Sequence, residues 1–128
     1  MVRSEAYNLE KVIAQLTGFL EEMGELGKKR PNDAVNDFKL KLLNGALDQA
    51  LRELGPDGSP LPGFTQFDAD LSPSNSDVTM VLTQYLQALD VKRSESIEPS
   101  YSGRWVYKIS DGGAPIYTAP PVGAKRKY

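Results

Sequence analysis

Basic and aromatic side chains alternate through the last third of this 128-residue chain. Tyr101, Arg104, Trp105, Tyr107, Lys108 and Tyr117 interleave rings with cations, and Lys125, Arg126 and Lys127 follow. Rings that stack on bases, set beside cations that meet phosphates, are the equipment of single-strand nucleic-acid readers. Arg104, Trp105, Tyr107, Lys108, Lys125, Arg126 and Lys127 are therefore candidate nucleic-acid contacts. The same residues have a plainer reading: Trp105, Tyr107 and Ile109 recur with period two and cap one end of a hydrophobic core. The plainer reading is preferred.

Other constellations fail on their own chemistry. Asp68, Asp70, Ser72, Ser74, Ser76 and Asp77 form the densest cluster of side-chain oxygens. A calcium loop of the EF-hand kind needs glycine at its sixth position and glutamate at its twelfth. Counted from Asp68, those positions hold Pro73 and Thr79, and helix capping already accounts for Ser74 and Asp77. Glu21, Glu22 and Glu25 could share protons only if their environments pushed their pKa values apart. On an amphipathic helix they read as a solvated face, with Glu25 placed to pair with Lys28 or Lys29. Gly24 and Gly27, followed by two lysines, end a helix, whereas a phosphate loop opens one. The chain has no cysteine and no histidine, which removes thiolate chemistry, serine–histidine chemistry and most zinc sites. No catalytic, metal or cofactor site is expected, and the absence of cysteine fits a reducing cytoplasm.

The elements that would position these residues follow from hydrophobic spacing. Leu9, Ile13, Leu16, Leu20 and Met23 step by four, three, four and three, a two-heptad seam that predicts a helix over 4–27. Such a seam packs lengthwise on another helix, and it is a candidate protein-contact surface, including a homodimer. Gly18, Gly24 and Gly27 weaken this helix and suggest either fraying or a close neighbour. A second helix is expected over 32–54, started by Asn32 or Asp33 and stopped at Gly55-Pro56. It carries two apolar stripes, Val35, Phe38, Leu42, Ala46 and Ala50 beside Leu40, Leu43, Leu47, Leu51 and Leu54. A face that wide predicts a central helix covered from two sides, and the short link predicts an antiparallel pairing of helices 1 and 2.

Residues 55–73 hold four prolines and three glycines and form a long loop, pinned to the core by Phe64 and Phe67, where a short edge strand could form. A third helix is expected over 74–95, opened by a capping box of Ser74 and Asp77. A two-stranded hairpin over 103–118, turning at Asp111-Gly112-Gly113, completes an α+β domain spanning 1–118, and 119–128 is a mobile basic tail. A helix followed by a hairpin resembles the last helix and wing of winged-helix domains over roughly the final 50 residues. The resemblance ends at the helix itself, which opens on Asp77 and serines where a recognition helix favours cations.

Net charge is −2, divided as −1 over 1–54, −4 over 55–97 and +3 over 98–128. No apolar run approaches the roughly 18 residues of a membrane span. The sequence points to a non-enzymatic protein-interaction module of the cytoplasm, an adaptor, small chaperone or regulatory subunit, with nucleic-acid binding through the C-terminal hairpin and tail as the alternative.

Overall fold

Leu9, Leu16 and Met23 line one stripe of a helix and are buried, as is Val12 beside them. The computed structural model, described over residues 1–121, runs α1 (Arg3–Lys29), α2 (Asp37–Leu54), a 3-10 turn (Ala69–Leu71), α3 (Asn75–Glu95), β1 (Ile97–Pro99), β2 (Trp105–Tyr107) and β3 (Tyr117–Thr118). The architecture is mostly helical α+β, with three helices packed on one another and a small sheet at one end.

The starts of α2 and α3 are stitched together. Val35 N donates to Pro73 O (2.9 Å), and Asn75 N donates to Asp33 O (2.9 Å). At the other end, the Lys92 ammonium donates to Glu53 O. These two helices are therefore parallel to each other and antiparallel to α1, whose Met23 carbonyl lies 3.2 Å from Thr79 Oγ1 near the start of α3. Parallel neighbours need a crossover as long as the helix it returns along, about 27 Å for the 18 residues of α2. That requirement explains the long Pro/Gly-rich segment. It is fastened along the way by Asn44, whose amide donates to Phe67 O (2.9 Å) and accepts from Phe67 N (2.7 Å). Phe67 is buried, Phe64 meets it edge-on with centroids 5.2 Å apart, and Phe64 reaches Tyr85 in the same manner. Both rings anchor the loop, but no strand forms at 64–67.

Three expectations change. First, α2 opens at Asn36, whose side chain accepts from Lys39 N (2.9 Å). Asn32 and Asp33 do not cap it because residues 33–35 pair with 73–75 across an Ala34–Ser74 bridge. Second, α2 is not the central helix. Only Leu40, Leu43, Ala46, Leu47 and Ala50 of its face are buried, and Phe38 and Leu42 are exposed. Helix α3 takes the central place: Val78, Val81, Leu82, Tyr85, Leu86 and Leu89 are all buried, and its heaviest packing is with α1. Third, Gly18 and Gly24 have no neighbour where a Cβ would stand, whereas Gly27 approaches Thr79.

Caps elsewhere follow sequence chemistry. Ser74 Oγ accepts from Asp77 N (3.1 Å), and the Asp77 carboxylate accepts from Ser74 N (3.0 Å). Gly55, at φ 80°, ends α2 in a conformation that β-carbons disfavour.

The sheet has order β1-β2-β3 and is antiparallel throughout, with Ile97 opposite Tyr107 and Trp105 opposite Thr118. The pairing of β2 with β3 matches the expected hairpin in outline. Strand β1 adds a third member, and Pro99 sits on it harmlessly because β1 is an edge. A nine-residue connection, 108–116, joins β2 to β3 and folds over the start of α1. There Asp111 Oδ1 accepts from Arg3 N (2.8 Å), and the Arg3 guanidinium donates to the carbonyls of Gly112 and Ala114. Gly113 adopts φ 98°, a conformation that β-carbons disfavour, and a Cβ there would also stand 2.5 Å from that guanidinium and push it aside.

Candidate functional site

An α-helix with two apolar stripes needs neighbours on both, and on α2 one of them is covered only in part, with Ala46 and Ala50 buried but Phe38 and Leu42 exposed. The uncovered part runs Phe38, Leu42, Gly45 and Gln49, spaced by four, three and four residues on one side of the helix. Phe38 is 71% exposed and Leu42 47%, high values for large apolar side chains on a structured helix. Facing them, α1 presents Asn8, Lys11, Val12 and Gln15. Between the two helices lies a groove of about 730 Å³, floored by Val12 and Ala46 and open at Gly45, where a side chain would meet no atom within 4 Å. On the far side of Phe38 and Leu42, a smaller hollow of about 220 Å³ continues toward Phe19, Glu22 and Met23. Divided by Phe38 and Leu42, the groove and the hollow together extend about 21 Å along α1 from Asn8 to Glu22.

Its electrostatics are one-sided. Lys11 and Lys41 stand exposed on opposite walls, and neither makes an ion pair among the described residues. Glu22, the one acidic residue of the lining, pairs with Lys39 at 3.9 Å.

The seam offered by the sequence as a protein-contact surface lies elsewhere. Leu9, Leu16 and Met23 are buried in the chain's own core, and Ile13 and Leu20 pack half-buried against it. The seam is real as a pattern, but α2 and α3 already cover Leu9, Leu16 and Met23, leaving only the half-buried Ile13 and Leu20 at its edge. Phe38 and Leu42 are the residues that spacing alone did not single out. The available signal was the excess width of the α2 face.

The aromatic and basic C-terminal set is dispersed. Tyr107 is buried in the core, and Trp105 and Ile109 pack half-buried against that core, the arrangement of a core cap. Tyr107 is not a base-stacking residue, because a ring held at 3% exposure cannot receive a base. Burial and the nearby Glu10 carboxylate push its hydroxyl above the usual tyrosine range, against the opposing influence of Thr118 and Arg93. Arg104 is exposed, with its guanidinium 3.6 Å above the centre of the Tyr117 ring, and Lys108 is exposed with its ammonium near Glu95 O. Lys125, Arg126 and Lys127 lie outside the described residues. The start of the expected tail is held in place: Arg93, buried in α3, donates to Thr118 Oγ1 (3.1 Å), Ala119 O (2.6 Å) and Pro120 O (3.1 Å), and lies 3.4 Å from Asp90.

The oxygen cluster at 68–77 is engaged in capping. Asp68 accepts from Asp70 N (3.0 Å), while Ser74 and Asp77 close the α3 box. Of the helix 1 carboxylates, Glu25 pairs with Lys28 at 3.7 Å and Glu22 with Lys39. Glu53 is raised above the usual carboxylate range by burial, with Lys92 opposing, but it lines none of the grooves described above. No helix among the described residues is long and apolar enough to cross a membrane.

Compared with known protein families, curated proteins and solved structures, the chain matches none.

Proposed function

We propose that this chain is a non-enzymatic protein-interaction module, an adaptor, small chaperone or regulatory subunit, that works through the α1–α2 groove. One observation carries the reading: Phe38 and Leu42 stand exposed on adjacent turns beside a groove deep enough to take side chains. Exposed apolar anchors rimmed by polar residues are what a partner surface requires. Intramolecular packing does not explain them, because the same helix turns Leu40, Leu43 and Leu47 into the core and leaves these two side chains outside it. The lack of cysteine supports a reducing compartment such as the cytoplasm.

A photo-crosslinking residue placed at position 38, with the same residue at the exposed Tyr101 as control, tests this in producing cells. A discrete protein adduct from position 38 alone supports the reading. No adduct, or the same adducts from both positions, refutes it. Because Phe38 is mostly exposed in the free chain, Phe38→Asp should leave the circular dichroism spectrum and melting temperature unchanged while abolishing the adduct partner's co-purification.

The second reading is nucleic-acid binding, supported by the exposed Arg104 and Lys108. It predicts anisotropy changes with random single-stranded DNA or RNA that weaken steeply with salt. Arg104→Ala with Lys108→Ala should then reduce them. Binding that is absent even at low salt sets this reading aside.

A further inference from the structure

Resting on that interaction-module reading, we infer that the occupant of the α1–α2 groove is an amphipathic helix from another protein, one that carries acidic side chains beside its apolar anchors.

The shape of the groove selects a helix. Its walls are two helices whose backbone hydrogen bonds are internally satisfied, so an extended peptide would find no sheet edge to join. A helix brings its own backbone bonds and needs only an apolar stripe. The trough supplies matching features: Phe38 and Leu42 project one turn apart, and beyond them Gly45 leaves a gap where an incoming side chain can seat against Val12 and Ala46. The groove and the hollow beyond Phe38 and Leu42 together extend about 21 Å, roughly four turns of an occupying helix that crosses both.

Charge selects the sign of the occupant. Lys11 on α1 and Lys41 on α2 face across the groove with no acidic partner among the described residues, and the single lining carboxylate, Glu22, is already paired with Lys39. A partner helix with glutamate or aspartate flanking its anchors would meet both lysines at once. A second copy of this chain, docked groove to groove about a twofold axis, would bring Lys11 and Lys41 toward their own counterparts, and such like-charge juxtaposition opposes association.

The test uses the full chain and a displayed library of helical peptides about 18 residues long, selected on the wild type and counter-selected on Phe38→Asp. The enriched peptides should carry two or three apolar residues at i, i+3/i+4 and i+7, with acidic residues alongside. A synthesised representative should lose at least about tenfold in affinity for the Lys11→Glu, Lys41→Glu double variant. A copy of it with lysines in place of the acidic residues should regain binding to that variant. All three substituted positions are exposed, and circular dichroism verifies that the variants fold.

Neutral or basic consensus sequences, or affinities indifferent to the charge swap, overturn the inference. So does a dimer seen by sedimentation at tens of micromolar and dissolved by Phe38→Asp, which would identify the second copy as occupant. A discrete crosslink from position 38 to a protein that presents no such helix overturns this inference alone. Absence of any crosslink from position 38 refutes the interaction-module reading as well.

Discussion

Replacing Arg93 with methionine tests whether one buried cation closes the sheet end of the molecule. The side chain is 6% exposed, and its guanidinium reaches Asp90, Thr118 Oγ1, Ala119 O and Pro120 O. Methionine retains most of the apolar stem and removes every donor. Breaking a buried charge pair from one side typically costs about 3–5 kcal/mol, because the partners remain desolvated. Two features lower that figure here. The Asp90 side chain is 33% exposed and can rehydrate, and residues 118–120 can lift into water once released. The expected loss is therefore about 2–4 kcal/mol. Urea unfolding followed by far-ultraviolet circular dichroism measures it. Hydrogen exchange then separates global from local loss: the Tyr107 amide, bonded to Ile116 O at 3.1 Å, should exchange faster than the helix core. Arg93→Lys should recover only part of the loss, since one ammonium cannot reproduce the fork that serves Ala119 and Pro120 together. A methionine variant within about 0.5 kcal/mol of wild type, with Tyr107 protection unchanged, would refute this account of the sheet's attachment.

Two further outcomes follow from individual side chains. Gly18→Ala and Gly24→Ala, at helix positions with no atom within 4 Å of the new methyl, should each stabilise the chain by up to about 1 kcal/mol. Gly27→Ala should gain less because Thr79 stands 3.4 Å from its methyl, and denaturant midpoints rank the three. In an alkaline titration followed by tyrosinate absorbance, Tyr85 and Tyr107 should ionise later than ordinary tyrosines, since burial raises both. A raised phenol stabilises the fold in full below the ordinary tyrosine range and loses that contribution as pH rises toward the folded value. Tyr107→Phe should therefore flatten the alkaline loss of stability.

Local rules were legible in the sequence wherever one residue type has a single physical use. The Ser74–Asp77 box, the stop at Gly55, the burial of Phe67 and the period-two cap of Trp105, Tyr107 and Ile109 all follow from side-chain chemistry acting over a few positions. What the sequence did not disclose is which apolar stripe receives a neighbour. A wide face on α2 is equally consistent with a central helix and with an edge helix that keeps one stripe for a partner, and the choice depends on where α3 lies. That placement is set by the crossover and the stitching of 33–35 to 73–75, contacts between residues far apart in sequence. The seam of α1 illustrates the same limit, since periodicity reveals that a stripe is packed but not whether the partner is the same chain. Strand β1 was hidden for a related reason: three residues beginning directly after α3 and containing a proline carry no period of their own.

The crossover offers the clearest test of how such long-range placement is enforced. Asn44 engages both backbone groups of Phe67, donating to its carbonyl and accepting from its amide, in the manner of a neighbouring strand. Phe67 is buried, and a part-buried peptide group deprived of partners costs about 1–3 kcal/mol. Asn44→Ala should therefore lose about 2–4 kcal/mol, the two contacts together less any rehydration. Asn44→Asp is more discriminating, because it changes almost no volume. The introduced carboxylate still accepts from Phe67 N but faces Phe67 O with negative charge in place of a donor. The folded state should then favour the protonated acid, raising its pKa above the unfolded value. Stability relative to wild type should be poorest at neutral pH and recover as pH falls through the carboxylate range, where the acid can donate to Phe67 O again. Denaturant midpoints of both proteins from neutral to mildly acidic pH decide the matter. If the two run parallel, Asn44 does not fasten the crossover, and the parallel course of α2 and α3 rests on the Phe64, Phe67 and Tyr85 rings together with the stitching of 33–35 to 73–75.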